Sequence, residues 1–481
     1  MTIAIVLGVY IAAMLAIGFS CRNARNAKDF LLAGGTLGPV LLSMSFVATY
    51  FSTSSLLGGG GSGYLFGFGF SAYLFFFHVL FAVLAWVIVA PRLRRVVQEE
   101  GILTVPQFFR HQFNSRVIQV IAALIIVVFF QLYMSSIYKG ASNLLEITMG
   151  VSYPAGVAIV AIPVVTYTCM GGFRSVVITD LIQGIILLAG GVLLFGTIVV
   201  SMGGIGAGLA RLASTPIGGG LTGEALMRLG ATGPKELVDS GMMTPFLLSL
   251  TFAISVAQIA SPQLIIRFFA AKDPGTVRKG MLLTPLLIAI FAFCVFSSGP
   301  FAHLFVQGIR DPDLVIPSLM RCVFPGWVST LLLVAAIAAA MSTLSSTLMV
   351  AASSLTQDLL GNSSVPLTRL AVLGTGVIAP LIALRPIGII VTIVGLSFSV
   401  ISSVYLVPLL AGLYCHRPSR RAAIASMVAS ATTCVIWQLL VFRRLPVYPV
   451  VPGIIVSAFA YLSTDIVERT LAPKGAEEGA E

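Results

Sequence analysis

Charged residues are scarce in this sequence, since Asp, Glu, Lys and Arg together make up only 9% of its 481 residues. Soluble domains carry roughly 25% charged residues, so the composition excludes an ordinary soluble protein. Hydrophobic residues make up 58% of the chain, and they fall in runs that reach the ~20 residues a helix needs to cross a bilayer. The sequence therefore predicts an all-α protein that passes many times through the cell membrane.

Cysteine and histidine are also few, with six Cys and four His residues in the chain. The six Cys residues lie far apart without a CxxC pair, so neither a disulfide framework nor a zinc site is indicated. Gly60–Gly63 matches the G-x-S-G pattern of intramembrane serine proteases, but that chemistry needs a histidine base within reach. Of the four histidines only His78 falls within a predicted span, so we do not expect an enzyme. The net charge of +11 lies in short loops, where basic residues set orientation, and nucleic acid is not an expected partner.

The apolar runs predict thirteen membrane spans, numbered here in chain order. They are 2–20, 36–64, 69–91, 117–140, 151–170, 175–202, 242–264, 278–300, 327–356, 367–384, 387–413, 420–440 and 446–466. An odd number of spans puts the two termini on opposite faces of the membrane. Most of the 28 Lys and Arg residues, Arg267 among them, follow odd-numbered spans. Because cytoplasmic loops are enriched in basic residues, the N-terminus is predicted outside and the C-terminus in the cytoplasm.

Two spans have interrupted patterns. Span 2 has a hydroxyl-rich middle followed by the glycine run Gly58–Gly61, and span 7 carries Pro245 and Pro262 with Ser255 and Gln258 between them. Interrupted helices in corresponding positions of two halves are the sequence signal of an inverted-repeat transporter. Spans 2 and 7 therefore open two predicted repeats, 36–202 and 242–413, and 420–466 forms two peripheral helices.

Span 9 concentrates hydroxyl groups at the middle of its length. Five of the six residues in 342–347 carry a hydroxyl: Ser342, Thr343, Ser345, Ser346 and Thr347. Oxygen ligands suit hard cations, but small hydroxyl residues also allow membrane helices to pack closely. The residues alone leave both interpretations open.

Several stretches resemble a known family. TYTCMGGFRSVVITDLIQG (166–184), SPQLIIRFFAAKD (261–273) and AAAMSTLSSTLMVAASSLTQDL (338–359) resemble the sodium:solute symporter family. Further stretches look most like its sodium/pantothenate symporter branch: VATYFSTSSLLGGGGSGYLFGFG (47–69), DPDLVIPSLM (311–320) and YPVVPGIIVSAFAYL (448–462). The resemblance covers nearly the whole chain.

The resemblance implies a leucine-transporter-like fold with a five-plus-five inverted repeat formed by spans 2–11. It also implies sodium-coupled symport of a small solute by alternating access, with a sodium ion between spans 2 and 9. The motifs place the ion's ligands at the hydroxyls of Ser342 and Thr343 and the carbonyls of Ala48, Phe51 and Ala339. Ser345, Ser346 and Thr347 are then expected to serve helix packing.

Two further residues bear on the ions. Asp180 lies within the family-like motif and is expected either at a sodium exit route or at a second ion site. The alternative is an interfacial acid paired with Arg174. Ser52 stands where a proline-transporting branch carries an Asp, which leaves the number of sodium ions open. Arg267 follows span 7 closely and is expected to be a cytoplasmic anchor or gate.

The solute site is expected between the middles of spans 2 and 7. Its candidate residues are Tyr50, Ser52, Thr53, Ser54, Ser55, Thr251, Ser255 and Gln258. A half-helix N-terminus there is suited to a carboxylate, which favours an organic anion such as pantothenate. A monocarboxylate, proline or a sugar-like solute is the alternative, and helix packing is the alternative role of each residue. A passive channel is the competing class of protein.

Overall fold

The computed structural model describes residues 2–385 and 390–471 of the chain. Helices make up most of this part. Its only strands are the short antiparallel pair Pro216–Gly218 and Leu221–Thr222, in the connection between spans 6 and 7. The prediction of an all-α protein is confirmed.

Eleven helical segments among the described residues are long and apolar enough to cross a membrane. Two of them, Ser54–Glu100 and Tyr153–Ser201, would each be about 70 Å long if straight, more than twice the ~30 Å hydrocarbon core of a bilayer. Each is kinked at one glycine with positive φ, Gly67 in the first and Gly172 in the second. Each segment therefore contains two helices, and the number of thirteen spans stays a prediction.

Both kinks require glycine. Gly67 has φ 78° and Gly172 has φ 58°, in the region that side chains with a Cβ disfavour. A Cβ on Gly67 would lie 2.3 Å from the carbonyl oxygen of Leu226, and one on Gly172 would lie 2.6 Å from that of Phe30. At each kink, the positive φ and the close approach of a neighbouring backbone both disfavour any residue with a side chain.

The other spans are single segments with short extensions. Their bounds are Thr2–Ser20 for span 1, Arg116–Met149 for span 4, Pro274–Phe301 for span 8, Gly326–Ser353 for span 9, Val365–Ala383 for span 10, Ile390–Tyr414 for span 11, Arg420–Ile436 for span 12 and Val450–Leu471 for span 13. Shorter helices in the connections are Ala27–Leu32, Val105–Phe113, Ile205–Ser214, Lys235–Asp239 and Val315–Cys322.

Span 2 is interrupted at Phe51, earlier than its glycine run. The helix Pro39–Tyr50 ends there because Phe51 is extended (φ −88°, ψ 102°), and helical structure resumes at Ser54. The run Gly58–Gly61, which we expected to loosen the backbone, is helical instead. A Cβ on Gly61 would lie 1.8 Å from the carbonyl oxygen of Pro312, so at that position the missing side chain serves close packing.

Span 7 is interrupted at Ser261. Met243–Ala260 and Pro262–Ala270 are separate helices, and Ser261 between them is extended (φ −73°, ψ 122°). The α conformation is disfavoured for a residue before proline, and proline is tolerated at the first position of a helix. The break thus lies after Ser255 and Gln258, which we had predicted at the break and which belong to the regular helix.

Span 9 runs through the centre of the protein. In its most hydrophobic stretch 89% of the residues are buried, against 22% in spans 12 and 13. It packs against Tyr153–Ser201, Arg116–Met149 and Val365–Ala383. Its alanines at 335–336 and 338–340 are all buried, and such small residues let membrane helices approach closely. Polar groups on span 9 therefore face other helices rather than lipid.

Candidate functional site

A cluster of oxygen atoms joins span 9 to the end of the first half of span 2. The hydroxyl of Ser342 donates to the carbonyl oxygens of Ala48 at 2.7 Å and Ala339 at 3.1 Å. The hydroxyl of Thr343 donates to the carbonyl oxygens of Thr49 at 3.0 Å and Ala339 at 3.1 Å. These five residues, all fully buried, are called the neutral cluster below.

The interruption of span 2 creates this cluster. The last carbonyls of a helix have no amide one turn later with which to bond. Because Pro39–Tyr50 ends at Tyr50, the carbonyls of Ala48 and Thr49 are in that position, and hydroxyls from span 9 bond to them instead. Two helices thus meet through oxygen atoms that a continuous helix would keep for itself.

Four of the five predicted sodium ligands lie together in the neutral cluster, and Thr49 joins them through a carbonyl that we had not predicted. The fifth, Phe51, caps the same helix, with its amide bonded to the carbonyl of Val47 and its ring 4.2 Å from that of Phe291, centroid to centroid. The role of these residues as ligands stays a prediction. Hydroxyls and carbonyls are hard neutral ligands suited to a monovalent cation that has to leave again.

A second cluster lies one turn further along the same two helices. Asp180 Oδ2 and Arg267 Nη2 form an ion pair at 2.9 Å, and both side chains are fully buried. The hydroxyl of Ser45 donates to Asp180 Oδ2 at 2.6 Å, and the hydroxyls of Thr49 and Ser346 are 2.8 Å apart beside it. We call these five residues the charged cage.

The charged cage corrects three expectations. Arg267 is not an exposed anchor, because its side chain is fully buried and Pro262–Ala270 continues beyond it; its role as a gate stays a prediction. Asp180 pairs with Arg267 rather than with Arg174, which is exposed. Ser346, assigned to helix packing, contacts both charged groups. Sequence spacing did not reveal these contacts, since the pair joins residues 87 positions apart.

A small cavity of about 40 Å³ adjoins the break in span 2. It is lined by hydroxyl groups, aromatic rings and aliphatic side chains: Tyr50, Ser52, Ser54, Ser55, Gly59, Ser62, Phe70, Leu74, His78, Tyr133, Ile254, Phe296, Val394 and Phe398. No Asp, Glu, Lys or Arg is among these lining residues. Its mostly apolar lining with a few hydroxyl groups is typical of sites for small molecules.

Four of the predicted solute-site residues line this cavity, namely Tyr50, Ser52, Ser54 and Ser55. Ser52 also organises the backbone at the break: its hydroxyl accepts from the amide of Ser54 at 3.1 Å and its carbonyl accepts from the amide of Ser55 at 2.9 Å. The half-helix that starts at Ser54 therefore begins at the cavity wall.

The other four predicted residues lie outside the lining. Thr53 donates its hydroxyl to the carbonyl of Ala336 in span 9 at 2.8 Å. Thr251 bonds to the carbonyl of Leu247 in its own helix, also at 2.8 Å. These two hydroxyls stabilise helix contacts in the structure, and a direct contact with solute stays a prediction for both.

Ser255 and Gln258 hold His78, a residue of the cavity wall that we had not predicted at the solute site. Ser255 Oγ lies 3.0 Å from His78 Nδ1, and Gln258 Nε2 donates to the carbonyl of His78 at 2.9 Å. The imidazole is also flanked by the rings of Tyr50 and Phe296, with centroids 5.2 Å and 5.1 Å away. A histidine within an apolar span was the available signal for this site.

Comparison with known proteins identifies the family. The model of the sodium:solute symporter family matches residues 30–430. The chain belongs to this family. Its members are symporters, so the expectation of a transporter rather than an enzyme is confirmed, and the chain is a sodium-coupled symporter.

Curated relatives align over almost their whole length. The osmoregulated proline transporter of Bacillus subtilis is 30% identical over 97% of this chain and 95% of its own. The sodium/pantothenate symporter of Escherichia coli is 26% identical over 94% of both chains. A sodium/proline symporter of Staphylococcus aureus is 28% identical over 98% of this chain and 93% of its own.

Solved structures show the same fold. A Na⁺-coupled sialic acid symporter in a substrate-bound outward-open state matches with a TM-score of 0.80, at 18% identity over 98% of both chains. A nucleobase-cation-symport-1 family transporter in a closed conformation matches with a TM-score of 0.59, at 15% identity over 92% of this chain and 95% of its own. The leucine-transporter-like fold predicted from the sequence is confirmed.

Proposed function

We propose that this symporter carries a small organic solute with a carboxylate group, such as pantothenate, into the cell together with Na⁺. One observation carries the proposal. The interrupted span 2 supplies the carbonyl of Ala48 to the neutral cluster, while Tyr50, Ser52 and Ser54, only a few residues on, line the central cavity. Ion and solute would therefore bind at two sides of one break in the backbone.

Sodium is proposed to bind among Ala48, Phe51, Ala339, Ser342 and Thr343. The ion would replace the hydrogen bonds by which the two hydroxyls now hold the carbonyls. Each such bond contributes about 1 kcal/mol net, so the exchange is inexpensive in both directions. Binding would fix the first half of span 2 against span 9 and shape the cavity wall. Rocking of one helix bundle against the other then exposes both ligands to the cytoplasm.

The carboxylate is proposed to lie at the start of the half-helix at Ser54. The positive end of the helix dipole favours an anion, and the lining residues that the structure describes include no acid to repel one. The rings of Phe70, Phe296 and Phe398 give the cavity an apolar wall against which the body of the solute would pack. Proline and pantothenate, named in two of the relatives, share a carboxylate despite their different size. They are the natural probes.

Uptake into proteoliposomes tests this function. Purified protein is reconstituted, and labelled pantothenate, proline, lactate and a neutral sugar are offered with an inward Na⁺ gradient or with choline instead. We expect a carboxylate to accumulate with sodium and not with choline. Equal uptake in choline would exclude sodium coupling, and a preference for the sugar would exclude the carboxylate. A flux far above carrier rates would indicate a passive channel.

A further inference from the structure

A second and much larger cavity lies on the face that the pattern of basic residues predicts to be extracellular. Its volume is about 850 Å³, against about 40 Å³ for the central cavity. Its walls come from the connections 203–241 and 301–326 and from Tyr64 and Leu65, in the helical segment that starts at Ser54. We call it the outer cavity. The transport cycle proposed above gives it no role.

The outer cavity and the central cavity adjoin the same half of span 2. Gly59 and Ser62 line the central cavity, and Tyr64 and Leu65 line the outer one. Because a helix rises about 1.5 Å per residue, Ser62 and Tyr64 are only about 3 Å apart along the helix axis. A solute held in the outer cavity would therefore have a short way to travel along this helix to the central cavity.

His303 joins the connection 301–326 to this half-helix. Its ring stacks on that of Tyr64 with centroids 3.6 Å apart, and its Nε2 donates to the carbonyl of Tyr64 at 2.8 Å. The hydroxyl of Tyr64 donates in turn to the carbonyl of Val306 at 3.3 Å. This wall of the outer cavity is thus held in place before any ligand arrives, as is usual for small-molecule sites.

Positive charge exceeds negative charge in the lining. Lys235 and Arg310 both line the outer cavity and are exposed, and Asp239 is the one acid among the lining residues. None of the ion pairs among the described residues involves Lys235, Arg310 or Asp239. Both basic side chains are therefore available to a ligand. Positive charge in a concave site concentrates anions from solution.

Thr232 adds a hydroxyl group without a partner. Its side chain lines the outer cavity and is only 5% exposed, and its Oγ1 forms no hydrogen bond to any described residue. Buried hydroxyls are nearly always hydrogen-bonded. A carboxylate in the outer cavity would supply the missing acceptor, since each of its oxygens accepts hydrogen bonds.

We propose that the outer cavity is a second binding site for the carboxylate solute, which Lys235 and Arg310 attract and Thr232 binds before the solute enters the central cavity. This inference rests on the proposed function, which gives the solute its carboxylate. The site acts on capture of the solute from dilute solution. Saturating solute fills the central cavity without its help.

The reactivity of a thiol measures the charge of the outer cavity without transport. Ile217→Cys places a thiol in the lining, and mass spectrometry of the purified full-length protein follows its reaction with an anionic and a cationic methanethiosulfonate reagent. Relative to free cysteine, we expect the anionic reagent to react about tenfold faster than the cationic one. Adding Lys235→Ala and Arg310→Ala should abolish this preference. Arg228→Ala is the matched control, because Arg228 is exposed on the same connection but outside the lining.

Protection of the same thiol detects the solute itself. Pantothenate or proline should slow the reaction of Ile217→Cys in choline buffer, where sodium does not bind. The protection should be lost with Lys235→Ala and Arg310→Ala.

Uptake into proteoliposomes measures the effect on transport. In Lys235→Ala with Arg310→Ala, the solute concentration for half-maximal uptake should rise about tenfold, while saturating solute restores the wild-type rate. Choline chloride at constant Na⁺ should reduce this difference, because salt screens exposed charges. Lys235→Arg with Arg310→Lys should behave like the wild type. Thr232→Val should raise the half-maximal concentration about threefold, since one hydrogen bond is lost.

The outcomes separate the two proposals. Equal relative rates of the two reagents, or the absence of protection by both solutes, would overturn the outer site and leave sodium-coupled uptake intact. A half-maximal concentration that rises equally at all ionic strengths would assign Lys235 and Arg310 to the structure of the connections instead. If no carboxylate accumulates with sodium, the proposed function fails and this inference fails with it.

Discussion

The neutral cluster and the charged cage lie one turn apart on the same two helices, yet they differ in chemistry. In the neutral cluster, hydroxyls of Ser342 and Thr343 meet carbonyls freed by a helix end. In the charged cage, Asp180 faces Arg267, whose charge is attached to the chain. An interrupted helix thus provides the oxygen atoms at which we propose that an ion binds and leaves again. A carboxylate in the same bundle is provided with a cation that cannot leave.

The two clusters also differ in the free energy that is needed to disrupt them. Breaking one hydroxyl–carbonyl hydrogen bond of the neutral cluster costs about 1 kcal/mol net. Removing one partner of a buried ion pair costs about 3–5 kcal/mol, because a charge remains buried without compensation. The neutral cluster is therefore suited to repeated binding and release, and the charged cage to holding spans 2, 6, 7 and 9 together.

Asp180→Asn is expected to have the largest effect. It leaves the guanidinium of Arg267 uncompensated, and the free energy of unfolding should fall by about 3–5 kcal/mol. Denaturation of the detergent-solubilised protein measures this. The control is Asp465→Asn, which breaks the pair with Arg469, a residue 65% exposed in its side chain, and should cost at most about 1 kcal/mol. Equal losses in both variants would contradict a special role for the charged cage.

His78→Phe should have an intermediate effect, confined to the solute. The ring keeps its packing on Tyr50 but loses the contact of its nitrogen with Ser255. We expect the solute concentration for half-maximal uptake to rise about tenfold, equivalent to 1.4 kcal/mol. Sodium binding without solute should stay unchanged. Thr375→Val is the control, since Thr375 is buried in span 10, bonds to the carbonyl of Ala371 in its own helix and is not a predicted solute residue. An unchanged solute concentration in His78→Phe would remove His78 from the site.

The sequence predicted the neutral cluster better than the charged cage. Ser342 and Thr343 lie in a long family-like stretch, and the hydroxyls of span 9 stand out by their density. Arg267 was misplaced because apolar runs locate helix ends poorly, and three residues beyond Arg267 still belong to the helix. The break in span 7 was predicted too early in the chain, at Ser255 and Gln258, because polar residues within an apolar span suggest an interruption. In the structure their polar groups bond to His78, and the break is at Ser261. Contacts across the bundle depend on helix rotation, which periodicity alone does not fix.

Ser346→Ala should have the smallest effect. It removes one hydroxyl from the charged cage but leaves the ion pair of Asp180 and Arg267, so the free energy of unfolding should fall by about 1 kcal/mol. Ser353→Ala is the matched control, because its hydroxyl bonds to the carbonyl of Val350 in the same helix. A loss as large as that of Asp180→Asn would show that the hydroxyls, rather than the ion pair, hold the cage together.

Sodium binding in the absence of solute tests the central claim most directly. Equilibrium binding of ²²Na⁺ is measured on the wild type and on two double variants of span 9. Ser342→Ala with Thr343→Ala removes the hydroxyls of the neutral cluster. Ser345→Ala with Thr347→Ala removes hydroxyls that bond to carbonyls of their own helix. We predict that the first variant loses affinity for sodium by more than about tenfold, or 1.4 kcal/mol, and that the second binds like the wild type. Equal sodium affinity in the two variants would contradict the placement of the ion at Ser342 and Thr343.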